Sequence, residues 1–212
     1  MCGTLPTPVV TEGRGPQDPE EKMNLAKLIE AKEVRTVMGV DASSTSIAFS
    51  YFDDGELKRW GKVYIDGSNN YEKSADAYSK FAALCGTASP HLVVIESSVY
   101  VNNNSVMRQL SMMMGAIAAA AINRGCEVDE VPPITWQSYI GNKNFTKAEK
   151  EAMRAENPDA TASKIKEIMR FERKQRTIDF VKSTFGVTVD DNDVADAVGI
   201  GFYSTKVLAG EE

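Results

Sequence analysis

The stretch GVDASSTSIAFSYF, residues 39–52, connects the end of one apolar segment to the start of another. Its first part completes VRTVMGVD, a mostly apolar run that ends in Asp41, and the small polar residues ASST allow a tight connection to SIAFSYF. A D-D-G turn at residues 53–55 then leads into ELKRWGKVYI. The pattern predicts three consecutive strands joined by tight turns.

Helical and strand patterns alternate after these three strands. Residues 71–85 have apolar side chains at helical spacing, and HLVVIE, residues 91–96, is a short apolar run typical of a buried strand. Residues 105–124 again show a helical period, and CEVDEV, residues 126–131, supplies a fifth strand. The order predicts an α/β fold with a mixed five-stranded sheet and helices on both faces.

The rest of the chain divides into a tail and further helices. Residues 1–34 are rich in Pro, Gly and Thr and predict a flexible N-terminal tail with a short helix over residues 19–31. Residues 35–212 are expected to form one domain, with helices over residues 147–154, 163–185 and 193–207.

Charge is distributed unevenly along the chain. The formal net charge is -6, yet the segment from Lys143 to Lys182 has eleven Lys or Arg against seven Asp or Glu, a local charge of +4. Such a segment is either a solvated, salt-bridged helical face or a surface for phosphates. We assign residues 143–176 to a basic helical insertion.

Composition bounds the cellular setting. No stretch reaches the roughly 18 to 20 consecutive apolar residues that cross a bilayer, and no signal-peptide pattern begins the chain. Three widely spaced cysteines without a C-x-x-C pair indicate free thiols in a reducing compartment. We therefore expect a soluble, cytoplasmic protein without a membrane partner.

Four carboxylates stand at positions that favour chemistry. Asp41 and Glu96 each end an apolar strand, where a buried unpaired carboxylate costs several kcal/mol. Asp193 and Asp196 are three residues apart and so share one face of the last helix. Each signal alone has an ordinary explanation, since Asp41 can begin a turn and Asp193 can cap a helix. Their ordered combination predicts a single acidic site.

An acidic site made only of oxygen ligands favours a hard cation. The chain has one His, so Mg²⁺ or Mn²⁺ fits the four carboxylates better than zinc does. Two such ions, about 3.5 to 4 Å apart, can orient a water and stabilise the leaving oxygen in phosphodiester hydrolysis. The predicted cofactor is therefore Mg²⁺, two ions per site, with Mn²⁺ able to substitute.

Three motifs together resemble one family. GVDASSTSIAFSYF, LVVIESSVYVNNNS and NDVADAVGIG, in this order and at these separations, are similar to the RuvC family of Holliday-junction resolvases, which have a ribonuclease-H-like fold. The resemblance places the catalytic, metal-binding carboxylates on Asp41, Glu96, Asp193 and Asp196. It implies a homodimeric crossover junction endodeoxyribonuclease that nicks four-way or other branched DNA in recombination and repair.

The resemblance is sharp at those motifs and broad elsewhere. It extends in architecture over residues 36–207 and includes VPPITWQSYIG, residues 131–141. Residues 142–170 are longer and more charged than the family's compact connection, and the N-terminal tail is extra. These departures indicate a divergent or phage-type member, acting in a bacterial cell or a phage-infected host.

Several further residues are candidates for contact with DNA. Tyr100, in the polar loop after Glu96, either stacks on bases at a branch point or packs on the next helix. Basic side chains near the insertion can meet phosphates; the candidates are Lys143, Lys147, Lys174 and Arg176. Lys174 and Arg176 resemble in placement the basic residues that the family has before its last acidic motif. The small and flexible residues of MMMGAIAAAA suit either a dimer contact or close packing on the sheet.

Three other functions remain open at this point. A strand ending in Gly-Val-Asp followed by Ser and Thr also resembles the first phosphate-binding segment of sugar kinases and actin-like ATPases. The chain is short for their two lobes, and its Gly199-Ile200-Gly201 lies within an apolar helix. A ribonuclease acting on RNA–DNA hybrids or on RNA is a second alternative. A non-catalytic junction-binding module is the third.

Overall fold

A mixed five-stranded sheet is the centre of the computed structural model, which describes residues 34–97 and 103–210. In chain order its strands are β1 (Thr36–Ala42), β2 (Ser46–Asp53), β3 (Glu56–Tyr64), β4 (Leu92–Glu96) and β5 (Glu127–Val131). Their order across the sheet is β3-β2-β1-β4-β5; β1 is antiparallel to β2 and parallel to β4. This confirms the predicted α/β class and mixed sheet.

Six helices are present in the described residues. They are α1 (Asn70–Ala88), α2 (Asn104–Asn123), α3 (Pro133–Tyr139), α4 (Lys147–Glu156), α5 (Ala162–Phe185) and α6 (Asn192–Leu208). Helix α3 was not predicted, because seven residues are too few to show a helical period. The predicted helix at residues 19–31 lies outside the described part of the chain.

The sheet separates two hydrophobic cores, as expected for a strand such as β1 that is buried on both faces. One face packs on α6 and α5, with Val37, Phe52 and Val198 in its core. The other packs on α1 and α2, with Phe81 and Ile117 in its core. Helices therefore cover both faces of the sheet.

Glycines allow α6 to lie unusually close to the sheet. A methyl group added at Gly39 of β1 would be 2.4 Å from the carbonyl oxygen of Ala197 and 2.4 Å from the backbone nitrogen of Gly201. One added at Gly201 would be 2.5 Å from Ser50 Oγ, which donates a 2.7 Å hydrogen bond to the Ala197 carbonyl. Only glycine fits these positions, so the GIG sequence within α6 serves helix–sheet packing.

Residues 143–176 form what we call the helical lobe, which comprises α4 and the first part of α5. The lobe has a small core of its own, made by Phe145, Met153 and Ile165. Helix α4 begins with a capping box in which Thr146 and Glu149 satisfy each other's backbone N–H groups. The predicted basic insertion is thus a folded helical unit beside α6.

Helix α2 has the length and apolar composition of a membrane span, and 22% of its apolar window is buried in the fold. A core helix passes the same test, and α2 packs Met113 and Ile117 into the core it shares with α1. Its outward side carries the small residues Ser111, Gly115 and Ala119 at helical spacing. The length and composition of α2 are therefore those of a membrane span and of a core helix alike.

Two of the three cysteines lie in the described residues, and both are free and buried. Cys85 of α1 and Cys126 ahead of β5 are hydrogen-bonded neighbours, and burial is the main cause that raises the pKa of Cys85 to about 12. A thiol with such a pKa stays protonated and unreactive at neutral pH. Cys2 lies outside the described residues.

Candidate active site

The carboxyl ends of β1 and β4 bring Asp41 and Glu96 side by side. The parallel register pairs Val40 with Ile95, so the next residue on each strand is the acidic one. Both carboxylates belong to strands whose preceding residues are completely buried. The two strands are therefore neighbours in the sheet, with their acidic residues at the same edge.

Helix α6 brings two more carboxylates to the same edge. Asp191 is its N-cap and accepts hydrogen bonds from the backbone N–H groups of Asp193 and Val194. This cap fixes where the helix begins, so Asp193 and Asp196 lie one turn apart on the same side. Asp191, rather than Asp193, therefore performs the capping role considered for this segment.

The shifted pKa values of Asp41 and Glu96 show that the carboxylates share one environment. Burial raises the pKa of Asp41 well above its usual range, and the charges of Glu96, Asp196 and Asp193 add to the effect. Burial also raises the pKa of Glu96, against a hydrogen bond from Trp136 that lowers it. Like charges converge here in a poorly solvated volume.

Asp196 has the clearest single shift. Burial and the neighbouring charge of Glu96 raise its pKa to about 7, although the Thr177 hydroxyl and the charge of Lys174 act in the opposite direction. This pKa brings the titration of the carboxyl close to neutral pH. A carboxyl with a pKa shifted in this way is typical of a functional site.

Lys62 is a site residue that sequence reasoning missed. This half-buried side chain of β3 places its Nζ 2.7 Å from Asp193 Oδ2 and 2.6 Å from Asp191 Oδ2. Burial opposes the charged form of Lys62, but the hydrogen bonds to both aspartates outweigh it and raise the lysine pKa. A lysine in a half-exposed edge strand has no special sequence signal, so only the fold reveals this contact.

Trp136 of α3 supports Glu96 from behind. The indole ring is completely buried, and its Nε1–H donates a 2.9 Å hydrogen bond to Glu96 Oε1. The ring lies against Gly199 of α6, where an added methyl group would be 2.6 Å from Trp136 Cζ3. Trp136 is therefore a core residue whose polar edge also faces the site. Trp60, in edge strand β3, is 37% exposed.

Asp196 has a similar support from α5. Thr177 is 1% exposed and hydrogen-bonds Asp196, and it also accepts a 3.0 Å hydrogen bond from Asn142 Nδ2. Asn142 in turn donates to the carbonyl of Arg173 at 2.8 Å. The interior of α5 is therefore tied to Asp196 of α6.

The candidate DNA-binding residues lie in different surroundings. Lys174 lines the same cavity as Asp196. Arg176 lies 4.3 Å above the centre of the Phe145 ring and 3.6 Å from Glu149, so it stabilises the lobe. Lys143 is exposed, and the side chain of Lys147 is 92% exposed. Tyr100 lies outside the described residues.

Within residues 34–97 and 103–210, no group of three or more Asp, Glu, His or Cys side chains is arranged so that it could hold a metal ion. Asp193 faces the Lys62 ammonium, while the other carboxylates repel one another. The donor chemistry nevertheless fits a hard cation, because every donor is a carboxylate oxygen and a divalent charge relieves the repulsion.

Comparison with solved structures defines the class of fold. The chain is similar to RuvC of T. thermophilus in complex with a Holliday junction substrate, with a TM-score of 0.61 and 14% identity over 83% of this chain and 97% of that chain. A second Thermus thermophilus RuvC structure gives a TM-score of 0.59 and 14% identity with the same coverage. The yeast mitochondrial Holliday junction resolvase Ydc2 gives 0.47 and 12%, over 88% of this chain and 85% of that one.

No protein-family model and no curated protein sequence matches the chain. The class is therefore established by structure: the chain has the ribonuclease-H-like fold of RuvC. Within that fold, the structural similarity to RuvC agrees with the resemblance to the RuvC family that the sequence motifs indicated.

Proposed function

We propose that this protein is a metal-dependent nuclease that resolves four-way DNA junctions. One observation carries the proposal: the electrostatically coupled carboxylates Asp41, Glu96 and Asp196 meet at one edge of a RuvC-like sheet. The RuvC neighbour was solved with a Holliday junction substrate, which supports branched DNA as the substrate class.

Asp41, Glu96, Asp193 and Asp196 would hold Mg²⁺ or Mn²⁺, which when bound orients a water and stabilises the charge that develops during phosphodiester hydrolysis. The chain's own residues prepare this site. Trp136 fixes one oxygen of Glu96, leaving the other oxygen to face the site. Thr177 orients Asp196 in the same way, and Lys62 holds Asp193 by its Oδ2 atom.

A second copy of the chain completes the proposal. Paired nicks in a four-way junction need two active sites, and a homodimer supplies them. The outward side of α2, with the small residues Ser111, Gly115 and Ala119, suits a close helix contact between two copies. The proposed partners are therefore branched DNA and a second copy of this chain.

The test is cleavage of a labelled four-way junction beside a linear duplex, a three-way branch and an RNA–DNA hybrid, each with Mg²⁺, with Mn²⁺ and with chelator. Metal-dependent, paired nicks in the four-way junction are expected. Cleavage mainly of the hybrid would assign a ribonuclease function instead. Cleavage of nothing would overturn the nuclease and reopen the ATP-binding and non-catalytic alternatives.

Variants identify the residues responsible. Asp41→Asn, Glu96→Gln and Asp196→Asn should each reduce cleavage by about a thousandfold or more while the protein still folds and binds the junction. Asp190→Asn is the matched control, because Asp190 is exposed and lies outside the site. Equal activity of the control and the site variants would contradict the assignment.

A further inference from the structure

A cavity of about 590 Å³ opens beside Asp196, between the helical lobe and the catalytic edge of the sheet. Its walls combine α3, the loop that follows it, α4, α5 and α6. A volume of this size accepts a compact ligand and excludes a double helix. The cavity is thus suited to a small ligand or to a single monomer of a polymer.

The lining of the cavity is strongly cationic. Lys150, Arg170, Arg173 and Lys174 all reach it, and Asp196 is the one carboxylate among its lining residues. Within the described residues, Lys150 and Arg170 form no ion pair, whereas the charge of Lys174 acts on Asp196. The charges of Lys150 and Arg170 are therefore not neutralised by an ion pair within the protein and favour an anion.

The cavity also has an apolar part. Phe145 and Met169 line it, and both belong to the small core of the helical lobe. Inorganic phosphate has no apolar part that could contact this wall. A nucleotide, in contrast, presents a phosphate to the cations and a sugar or base to the apolar wall. The combination points to a nucleotide.

We propose that this cavity binds one nucleotide of the cleaved DNA strand, adjacent to the phosphate that is hydrolysed. The inference rests on the proposed function and adds a subsite to it. Asp196 is shared by the cavity and the carboxylate site, so a nucleotide seated here fixes the neighbouring phosphodiester over the catalytic edge. The helical lobe then determines which bond of the junction is cut.

The test exchanges single phosphates near the cleavage site for neutral methylphosphonates in otherwise identical four-way junctions. In the wild-type protein one flanking position should lower kcat/KM about tenfold, as expected for the loss of a charge-assisted contact. In Lys150→Ala and Arg170→Ala the same substitution should lower kcat/KM less than about threefold, because the contact is already absent.

Lys182→Ala is the matched control, since Lys182 is exposed on α5 and does not line the cavity. This variant should respond to the methylphosphonate as the wild type does. Thermal unfolding shows that each variant is folded. If no methylphosphonate position distinguishes Arg170→Ala from Lys182→Ala while wild-type protein cuts the junction, the subsite is overturned and the nuclease proposal stands.

A free nucleotide is the other source of the same chemistry. Deoxyadenosine monophosphate is added at increasing concentration to the wild type and to Arg170→Ala. Competition in the wild type alone, together with the phosphate-position effect, supports the subsite. Inhibition without any phosphate-position effect would make the cavity a site for free nucleotides and overturn the proposal for the DNA strand.

Discussion

The proposed catalytic edge of the sheet, where Asp41, Glu96, Asp193 and Asp196 lie, and the helical lobe are neighbours built on different physical principles. The edge depends on close backbone contact, because α6 approaches β1 at Gly39 with no space for a side chain. The lobe depends on a small core of three buried side chains and on helix capping. Carboxylates concentrate at the first region and cations at the second.

This difference suits the two regions to different proposed roles. Carboxylates that act together in the proposed reaction must keep fixed mutual positions, and a sheet packed against a helix provides them. Contact with a charged polymer needs a surface of suitable charge more than fixed geometry. We therefore expect damage to the edge to be severe and damage to the lobe to stay local.

The largest effect on stability is expected where α6 meets the sheet. Gly39→Ala places a methyl group 2.4 Å from backbone atoms of Ala197 and Gly201 that cannot move independently. We expect the free energy of unfolding to fall by about 3 kcal/mol or more, or the protein not to fold. Urea denaturation followed by circular dichroism measures this change.

Gly86→Ala is the control for that substitution. Gly86 is exposed in α1, and an added methyl group would lie at an ordinary contact distance of 3.6 Å from the Arg124 side chain, so alanine should increase stability by about 0.5 to 1 kcal/mol. If both variants show the same change in the free energy of unfolding, the close approach of α6 to β1 is not what stabilises the edge of the sheet that carries the carboxylates.

The next effect concerns the charge of Asp196. Its pKa is about 7 in the folded protein, against about 3.9 in an unfolded chain. Between these values the folded state binds more protons, so the free energy of unfolding falls as pH rises through this interval. In chelator at pH 8, Asp196→Asn should be more stable than the wild type by roughly 1 to 3 kcal/mol.

The difference between Asp196→Asn and the wild type should shrink as the pH approaches 4, where the wild-type carboxyl is protonated as well. Calorimetric melting curves at several pH values provide the comparison. A wild type that is the more stable protein at pH 8 would show that the ionised carboxylate is well solvated or well paired, which contradicts the shared acidic site.

The catalytic edge was largely predictable because its signals are local and strong. A run of β-branched residues that ends in Glu96 and an Asp-x-x-Asp helix each break an apolar pattern. All five strands and most helix limits followed from sequence patterns within a few residues. The parallel register that brings Asp41 beside Glu96 is a finding of the structure, since the sequence predicted only that each residue ends a strand.

The remaining parts of the site depend on tertiary contacts that no local pattern encodes. Lys62 comes from edge strand β3, two strands away from β1, and its partners are more than 120 residues away in the sequence. Trp136 looks like an ordinary core residue until its Nε1–H is seen to reach Glu96. Residues of four helices line the cavity. The sequence therefore shows how many cationic residues the chain has, but not which of them line the cavity.

A smaller effect is expected from the support behind Glu96. Trp136→Phe keeps an aromatic ring in the core and removes the hydrogen bond to Oε1. We expect kcat to fall about tenfold, equivalent to about 1.4 kcal/mol, while affinity for the junction changes less than about twofold. Single-turnover cleavage and a binding titration separate these quantities.

A spectroscopic measurement tests whether Trp136 acts through Glu96. In a Trp60→Phe background, Trp136 is the one remaining tryptophan, and its fluorescence should change as Mg²⁺ is titrated. Glu96→Gln should abolish that change. A response that persists in Glu96→Gln would assign the signal to a general change in folding and remove the positioning role.

The smallest effect tests the independence of the helical lobe. Thr146→Ala removes the side-chain cap of α4, which should cost about 1 kcal/mol of local stability. Amide hydrogen exchange should become about fivefold faster in α4 and stay unchanged in β1, because the lobe has a separate small core. Ser79→Ala, an exposed hydroxyl change in α1, is the control. If protection of β1 falls together with that of α4, the lobe and the proposed catalytic edge unfold as one unit, and the lobe then contributes to the geometry of the carboxylates as well as to the proposed contact with DNA.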